Sequence, residues 1–324
     1  MTLGVVIPCY RQERFLARTL AALEAGLAGR DWLGVLVLSA PGSETPLPAR
    51  SARWRVLRAD GPEHRPLTPG AARNAGFEAC GGSWVLFVDA DVEVERAWIE
   101  RACGVAASDV SVAGLWGRIE EWFVDGERER PGVRDLYRVG DGDAEAAYTA
   151  TLSFYRRDAL ARVRGYDPRL QSEEDFELGV RLRLAGFRLR TLAPLAAKHW
   201  SAPRPSFAEV GRRWRTGLCF GPGQALRLYA GRPGFAAIAA RNAHYFATLA
   251  LWLLALPAFG LAGRAGLAAW AAVWAVLFAL LALRKRSARL ALHSLVTWSV
   301  MAAGLLVGFV RGGVPAPAPV REVA

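Results

Sequence analysis

The sequence has few cysteines, no N-terminal targeting pattern and, in its last third, almost no acidic residues. Its four cysteines show no CxxC spacing and no paired arrangement, which argues against a zinc site or a disulfide framework. The chain runs straight into Val5-Val6-Ile7, without a basic stretch or a long apolar run before it. We therefore expect no secretory signal and a cytoplasmic N-terminal domain.

Charge is distributed unevenly over the 324 residues, whose formal net charge is +11. From Met1 to Glu209, about 28 Lys and Arg accompany about 29 Asp and Glu, whereas from Val210 onwards about 13 basic residues accompany only Glu322. A basic segment interrupted by apolar runs suits anionic lipid head groups, and it lacks the aromatic-lined basic groove of single-stranded nucleic-acid binders. We expect membrane lipids as partners and no nucleic acid.

The first part of the chain alternates short apolar runs with segments of helical periodicity. The apolar runs predict strands at Leu3–Ile7, Val35–Leu38, Trp54–Leu57 and Trp84–Val88. The periodic segments predict helices over residues 13–27 and 70–80. This alternation is typical of an α/β domain with a mostly parallel, doubly wound sheet, whose ligands lie beyond the carboxyl ends of the strands.

The last part contains three apolar runs of about 19 to 21 residues, each long enough to cross a bilayer: 243–262, 265–283 and 290–310. Gly263-Arg264 joins the first two, and the basic loop 284–289 before the third is expected in the cytoplasm. We predict three transmembrane helices; a shallow hairpin of the first two runs and buried helices of a soluble domain are the alternatives. The Arg-rich stretch before them is expected to lie along the membrane surface.

Asp89-Ala90-Asp91 directly follows the predicted strand Trp84–Val88. Two carboxylates one residue apart at the end of an apolar strand are costly to hold together unless a cation neutralises them. Hard oxygen ligands suit Mg²⁺ or Mn²⁺ bound against a diphosphate. Solvated turns contain the same pattern, so the three residues alone leave both interpretations open.

Four segments, in the right order over about residues 1 to 215, resemble the family 2 glycosyltransferases, which have the GT-A fold, a Rossmann-like α/β domain with a mostly parallel sheet. They are, in turn, Pro8, Tyr10 and Glu13; Gly70, Ala72, Arg73, Asn74 and Gly76; Asp89 and Asp91; and Gly165, Tyr166, Asp167, Glu174, Asp175, Leu178 and Arg181.

The resemblance implies a role for each segment. The segments around Tyr10 and Asn74, with Pro8, Glu13 and Arg73, would bind the nucleotide of a nucleotide-sugar donor. Asp89 would contact the ribose, and Asp91 would bind the metal and the diphosphate, with Asp89 beside it in the metal site.

The acidic run Glu173-Glu174-Asp175 has two interpretations. Carboxylates favour the positive end of a helix dipole, so a solvated helix start is one of them. The resemblance instead implies that Glu174 contacts substrate and that Asp175 is the general base. Attack by an acceptor hydroxyl, with the metal on the opposite side stabilising the departing diphosphate, predicts a single displacement with inversion.

Two further elements are less complete. His199 precedes Trp200 where some relatives place a metal-binding His, although a lone His is more often structural. Arg213-Trp214 resembles the Gln-x-x-Arg-Trp element of processive relatives, in which Trp stacks on acceptor sugar, but Val210 stands at the Gln position. A basic juxtamembrane stretch is the alternative for this pair.

The chain also departs from the family pattern at two places. Arg11 stands where Asn is usual. At the end of the second strand the family has two acidic residues before Gly-Ser, whereas Ser39-Ala40-Pro41-Gly42-Ser43 keeps only Gly-Ser. Because of this departure, the sequence does not predict which nucleotide base the donor carries.

The sequence therefore predicts a GT-A domain at residues 1–205, an interfacial region at 206–241, three transmembrane helices at 242–311 and a flexible tail at 312–324. The predicted protein is a multi-pass enzyme of the plasma or inner membrane, and it transfers a sugar from a nucleotide donor to a hydroxyl of a lipid-linked or glycan acceptor. The alternatives are a polyprenyl-phosphate sugar synthase and a catalytically inert membrane binding module on the same scaffold.

Overall fold

The computed structural model describes residues 1–40, 52–59, 67–202, 206–315 and 320–322. The chain forms two compact units: Met1–Pro203 together with Val314–Ala324, and Arg204–Gly313. The strands of the first unit are β1 Leu3–Cys9, β2 Trp32–Leu38, β3 Trp54–Arg58, β4 Trp84–Val88, β5 Val92–Val94, β6 Val112–Asp125, β7 Arg128–Pro131, β8 Ala144–Glu145, β9 Leu152–Arg156, β10 Arg188–Ser201 and β11 Arg321–Glu322. Its helices are α1 Glu13–Gly26, α2 Pro69–Ala79, α3 Arg96–Ser108, α4 Arg157–Arg162 and α5 Glu174–Leu184.

All of these strands belong to one sheet with the order β11-β3-β2-β1-β4-β9-β6-β10-β5, on which β7 pairs with β6 and β8 with β10. The four strands β1 to β4 are parallel, and β9 pairs antiparallel between β4 and β6. The predicted strands and helices of this unit are confirmed. The α/β architecture follows because the apolar strands are covered by two buried clusters of side chains, as expected for a sheet with both faces packed.

The packing of α2 on the sheet depends on a glycine. A Cβ added to Gly76 would lie 2.3 Å from Cγ1 of Val6 on β1, so only a residue without a side chain allows this close approach. The helix begins at Pro69, and the hydroxyl of Thr68 accepts a hydrogen bond from Ala71 N. The position of α2 over β1 fixes the side chains that follow Gly70.

Part of the segment predicted to be a flexible tail is ordered against the first unit. Val314 N donates to Arg169 O at 2.9 Å, and β11 pairs antiparallel with β3. Arg55 donates to both carboxylate oxygens of Glu322, at 2.8 and 2.6 Å. The chain therefore returns to the sheet of the first unit after the apolar helices.

The second unit is entirely helical in the residues described. Its helices are α6 Phe207–Arg215, α7 Gly221–Tyr229, α8 Phe235–Arg241, α9 Ala243–Leu253, α10 Ala255–Lys285 and α11 Ala288–Arg311. The segments Ala243–Lys285 and Ala288–Arg311 are long and apolar enough to cross a membrane, and only 6% and 22% of their most apolar windows are buried.

The chain reverses its direction within α10, at Gly263, where the backbone leaves the helical region with φ of 54°. Trp270 Nε1 donates to Leu251 O at 2.6 Å, and the rings of Trp252 and Trp270 lie 5.3 Å apart. A continuous helix would separate residues 251 and 270 by about 28 Å. The two apolar runs joined by Gly263-Arg264 therefore form a helical hairpin.

The segment that contains α7 packs closely on α11 through glycines. A Cβ on Gly304 would lie 2.4 Å from Cys219 O, and one on Gly308 would lie 2.0 Å from Phe220 O. On the other side, a Cβ on Gly223 would lie 1.9 Å from Leu305 O. Small residues at spacing four let helix backbones approach, which is typical of helices that associate in membranes.

Candidate active site

The carboxyl ends of β1, β2 and β4 lie at one edge of the sheet. Val6 of β1 is opposite Phe87 of β4, so Asp89 emerges beside the end of β1. Ser39 N and Oγ both donate to Cys9 O at 2.9 Å, which ties the ends of β1 and β2 together. Ser39 stands where the family pattern has an acidic residue, and its hydrogen bonds stabilise this edge of the sheet. Pro41, Gly42 and Ser43 lie outside the described residues.

Three residues predicted to contact the nucleotide base lie at or just after the end of β1. Pro8 and Tyr10 are partly exposed, and Glu13 begins α1. Arg11 has a left-handed backbone with φ of 56°, and its guanidinium lies 5.5 Å from the centre of the Tyr10 ring. The ring of Tyr10 is therefore held at the sheet edge, and its contact with a base stays a prediction.

Asp91 lies just beyond β4, and the residue is only 6% exposed. Antiparallel pairing puts His199 of β10 opposite Val92 of β5, and Trp200 N donates to Asp91 O at 2.8 Å. As a result, His199 Nε2 lies 3.4 Å from Asp91 Oδ2, although the two residues are far apart in sequence. Gln12 Nε2 donates to the same oxygen.

The other carboxylate oxygen of this residue, Asp91 Oδ1, is buried without a hydrogen-bond partner among the described residues. A buried carboxylate oxygen without a partner is costly, and a bound cation would compensate for it. Asp91 and His199 offer one oxygen and one nitrogen, and Mg²⁺ or Mn²⁺ in such sites takes its remaining ligands from substrate phosphates and water. The residues present therefore fit a divalent cation.

Asp89 belongs to a different group of side chains. Within the part of the chain that the structure describes, no three His, Cys, Asp or Glu side chains are close enough to ligate one metal, so Asp89, Asp91 and His199 do not form a three-ligand group. Asp89 Oδ1 instead accepts from Arg73 Nη2 at 2.8 Å. Burial raises the pKa of Asp89, against the lowering effect of Arg73.

Arg73 is the centre of this second group. It is 5% exposed, and its Nη1 donates to Glu174 Oε1 at 2.7 Å while lying 3.9 Å from Asp175 Oδ1. The guanidinium also lies 5.4 Å from the centre of the Tyr166 ring. Burial alone would lower the pKa of Arg73, but the surrounding carboxylates raise it well above its ordinary value. The guanidinium of Arg73 thus links the residues after β4 to the start of α5.

Asp175 has the perturbed acidity expected of a general base. It lies in the first turn of α5, after Glu173, which caps the helix with a left-handed backbone. Burial raises the pKa of Asp175 to about 8; Arg73 opposes this rise, and the neighbouring carboxylates Glu174 and Asp89 add to it. A carboxyl with this pKa exchanges a proton near neutral pH, which ordinary aspartates do not.

Asn74 and Arg181 hold the loop between α4 and α5. Asn74 Nδ2 donates to Tyr166 O, and its Oδ1 accepts from Tyr166 N, both at 2.8 Å. Arg181 donates to Gly165 O at 2.7 Å and to both carboxylate oxygens of Glu177 at 2.6 Å. The amide of Asn74 is therefore engaged by protein backbone, and its predicted contact with nucleotide has no support from these bonds.

Arg213 and Trp214 belong to the second unit, on α6. Arg213 Nε donates to Glu209 Oε1 at 3.0 Å, and the Trp214 ring packs edge-on against Phe220 at 5.2 Å. Their predicted contact with acceptor sugar stays a prediction.

Sequence reasoning missed Gln12 and the central position of Arg73. The resemblance highlights Glu13 and not its neighbour, although a residue one position before the start of α1 lies naturally at the sheet edge. The central position of Arg73 could have been predicted, because pairing with the carboxylates of the motifs lowers the free-energy cost of burying an arginine.

Residues 4–164, about half of the chain, match the model of glycosyl transferase family 2. The chain is 35% identical over 132 residues to the pre-mycofactocin glycosyltransferase of Mycobacterium tuberculosis. That alignment covers 38% of this chain and 28% of the relative, so the chain spans little more than a quarter of the length of its curated relatives.

Two solved structures share the fold. The mannosyltransferase PcManGT from Pyrobaculum calidifontis, in complex with GDP-Man and Mn²⁺, has a TM-score of 0.56 at 19% identity, over 95% of this chain and 86% of that one. S. aureus TarS 1–349 in complex with UDP-GlcNAc has a TM-score of 0.51 at 16% identity, over 75% of each chain. The predicted GT-A fold is confirmed.

Proposed function

We propose that this protein is a metal-dependent, inverting glycosyltransferase that transfers a sugar from a nucleotide donor to a hydroxyl of a membrane-presented, lipid-linked acceptor. One observation carries the proposal: the buried Arg73 lies between two partly buried carboxylates, 2.8 Å from Asp89 at the end of β4 and 3.9 Å from Asp175 at the start of α5. The carboxylate that contacts the sugar donor and the base that takes the proton of the sugar acceptor must lie close together for direct transfer.

The residues divide the chemistry between them. Asp175 accepts the proton of the attacking hydroxyl, and the positive charge of Arg73, 3.9 Å away, favours the ionised form of this carboxyl. Asp89 contacts the donor ribose, while Asp91 and His199 hold the divalent cation. When bound, that cation stabilises the negative charge of the departing diphosphate. Attack from the side of Asp175, opposite the diphosphate, inverts the anomeric carbon.

The fold neighbours support the class of donor and cofactor. PcManGT was solved with GDP-Man and Mn²⁺, and TarS with UDP-GlcNAc. Both ligands are nucleoside diphosphate sugars, and Asp91 Oδ1, buried without a hydrogen-bond partner among the described residues, is an atom suited to Mg²⁺ or Mn²⁺.

A hydroxyl acceptor is favoured over the phosphate of a polyprenyl phosphate. Asp89, Glu174 and Asp175 surround a single arginine, so an incoming phosphate would meet an excess of negative charge. A phosphate is also already ionised and needs no base, whereas the pKa of Asp175, raised to about 8, suits a base. An inert binding module would have no use for this cluster.

In this proposal, residues 1–205 form a catalytic domain in the cytoplasm, residues 206–241 form an interfacial region, and residues 242–311 form the membrane helices. The chain crosses the membrane twice, whereas the sequence predicted three crossings. Val314 and β11 contact the first unit, so the chain leaves and regains one side of the membrane. Only an even number of crossings allows this.

The hairpin of residues 243–262 and 264–285 supplies both crossings. α11 is the helix that stays at the cytoplasmic surface, because it starts after the basic loop 284–289 and packs on the segment 219–223, which directly follows Arg212, Arg213 and Arg215. Its most apolar window is also 22% buried, compared with 6% for the hairpin.

Cysteine labelling tests this topology, because all four native cysteines are buried. In oriented vesicles, a membrane-impermeant maleimide should label Pro315→Cys and Arg286→Cys from the side of the catalytic domain, and Arg264→Cys from the opposite side. Labelling of Pro315→Cys from the opposite side would require an odd number of crossings and refute the proposed topology.

A donor screen tests the enzymatic proposal. Membrane-extracted protein is incubated with UDP-, GDP- and dTDP-sugars, with and without Mn²⁺, and release of nucleoside diphosphate is followed. We expect metal-dependent release from at least one donor. No metal-dependent binding or release with any donor of the panel would instead identify an inert scaffold.

A further inference from the structure

Four aromatic side chains of the first unit form a continuous cluster that no motif of the sequence includes. The Trp116 ring lies 5.5 Å from Tyr137 and 5.4 Å from Tyr148, and Tyr148 lies 5.5 Å from Phe176. Trp116 is buried beneath the partly exposed Tyr137 and Tyr148. We call these four residues the aromatic platform.

The platform adjoins the catalytic carboxylates at both of its ends. Phe176 directly follows Asp175 in α5. The Tyr137 hydroxyl shares a hydrogen bond with Thr151 Oγ1, and Thr151 O accepts from Asp89 N at 3.1 Å. Burial, together with the nearby carboxylates of Asp89 and Asp175, raises the pKa of the Tyr137 hydroxyl.

Close backbone packing fixes Tyr148 at this place. A Cβ added to Gly179 of α5 would lie 2.5 Å from Ala147 O and 2.8 Å from Tyr148 Cα. The missing side chain at Gly179 therefore lets the irregular segment between β8 and β9 rest directly on α5, one turn beyond Asp175. The geometry depends on a glycine in the helix interior, where glycine is otherwise unfavourable.

The segment that carries Tyr137 is also held firmly. Leu136 N donates to Ile119 O of β6 at 2.9 Å. The Asp135 carboxylate accepts from Val139 N at 3.1 Å and from Gly140 N at 2.8 Å, which closes the turn after Tyr137. Both tyrosine rings are thus placed by backbone contacts, as in a preformed binding surface.

The chemistry of the platform selects among possible ligands. The faces of pyranose rings carry C–H groups that pack on aromatic rings, while their edges carry hydroxyls that hydrogen-bond to carboxylates and phenols. The neighbouring carboxylates repel an anionic ligand. A purely apolar ligand would also bind poorly, because it would displace the water that solvates these carboxylates. A neutral sugar satisfies both the rings and the carboxylates.

We propose that the aromatic platform is the acceptor subsite, on which a neutral sugar ring stacks against Tyr137 and Tyr148 so that one of its hydroxyls faces Asp175. This inference rests on the proposed function, since it names the chemical class of the acceptor for the same site.

The experiment compares acceptor and donor kinetics in matched variants. The acceptor probes are the methyl glycosides of glucose, galactose, mannose and N-acetylglucosamine, and the donor is the one that wild-type protein uses. Tyr148→Leu removes the ring and keeps an apolar side chain, whereas Tyr148→Phe keeps the ring. Gly179→Ala displaces Tyr148 indirectly, and Gly104→Ala, at a helix position where an added Cβ meets no atom within 4 Å, is its control.

We expect Tyr148→Leu to raise the acceptor KM roughly three- to tenfold, the range of one aromatic contact, with the donor KM within about twofold of wild type. Tyr148→Phe should retain most of the acceptor affinity, and Gly179→Ala should resemble Tyr148→Leu while Gly104→Ala stays like wild type.

Several results would overturn this assignment. Equal changes of donor and acceptor KM in Tyr148→Leu, or an equal loss in Tyr148→Phe, would show a merely structural role. Donor hydrolysis by wild-type protein that no methyl glycoside stimulates would exclude a sugar on the platform while leaving the enzymatic proposal intact. Absence of any donor use would remove the proposed function and this subsite with it.

Discussion

The two compact units of the chain treat charged and apolar side chains in opposite ways. The first unit buries Arg73, Asp91 and Glu174, each no more than 6% exposed, at the edge of a sheet. The second unit exposes large apolar side chains, such as Leu256 at 76% and Leu261 at 90%. Charges withdrawn from water are strong electrostatic groups for chemistry, and apolar groups exposed to the outside suit a lipid environment.

The units also differ in what holds them together. The site of the first unit depends on ion pairs and hydrogen bonds between side chains, whereas the second unit packs α11 on the 219–223 segment through backbone contacts at glycines. Substitutions should therefore separate activity from the integrity of the helical unit, and the following variants test this separation in order of decreasing effect.

Asp91→Asn should have the largest effect, a fall of about 10³-fold in kcat, because the metal loses its buried carboxylate. The melting temperature should stay near that of wild type, since asparagine keeps the shape of Asp91 and the buried Oδ1 has no hydrogen-bond partner among the described residues to lose. Steady-state kinetics and thermal unfolding in detergent are the measurements. Asp125→Asn, at an exposed position, is the matched control. Substantial activity in Asp91→Asn would remove this residue from the metal site.

Asp175→Asn should reduce kcat by about 10²- to 10³-fold through loss of the base. In wild type, kcat/KM should rise with pH up to about 8, the raised pKa of Asp175, because only the ionised carboxylate accepts a proton. This rise should be absent from the residual activity of the variant. A pH profile identical to wild type would argue against Asp175 as the base.

The same substitution should change stability in a pH-dependent way. Folded Asp175 keeps its proton up to about pH 8, whereas the unfolded chain releases it near the ordinary value of 3.8. Wild type therefore loses stability as pH rises between these two values, and the loss levels off above pH 8. The asparagine variant does not titrate, so its melting temperature should exceed that of wild type increasingly from pH 5 to 8.

Gly308→Ala should destabilise the helical unit by about 1–3 kcal/mol, because its Cβ would overlap Phe220 O and force the α11 contact apart. Nucleotide binding by the first unit should change little. Gly260→Ala, where an added Cβ meets no atom within 4 Å, should behave like wild type in the same unfolding assay. Equal stability of the two variants would mean that this packing is absent in the membrane.

Gln12→Leu should have the smallest effect, a weakening of about tenfold in Mn²⁺ affinity measured by calorimetry with nucleoside diphosphate present. Gln12 donates to Asp91 Oδ2, and residues that orient metal ligands typically contribute at this level. Gln12→Glu places a carboxylate against Asp91 and should not restore the affinity. An unchanged affinity in Gln12→Leu would show that Asp91 needs no such orientation.

The first four strands and the first two helices of the first unit follow from local patterns. The apolar runs predict β1 to β4 because each is short, buried and ended by a polar or turn-forming residue, and the helical periodicity of residues 13–27 predicts α1. The turn at Gly263-Arg264 can also be predicted from the sequence, since a glycine between two apolar runs permits the positive φ at which the chain reverses its direction.

The interior of the site was less accessible to sequence reasoning. Whether Arg73 binds phosphate or carboxylates depends on the distance between β4 and α5, which no local pattern contains. The pair of Asp91 with His199 arises from antiparallel pairing between β5 and β10, across more than a hundred residues. Tyr137 and Tyr148 lie outside regular strands and helices, so neither periodicity nor motif spacing identifies them.

The last strand, β11, has a consequence for how the protein is made. It follows the apolar helices in the chain, yet it completes the edge of the sheet beside β3. A ribosome releases this strand only after the hydrophobic segments have been synthesised, so the sheet of the first unit is completed only after those segments have emerged. A shortened chain that stops before the helices would expose the β3 edge, a surface on which foreign strands can assemble.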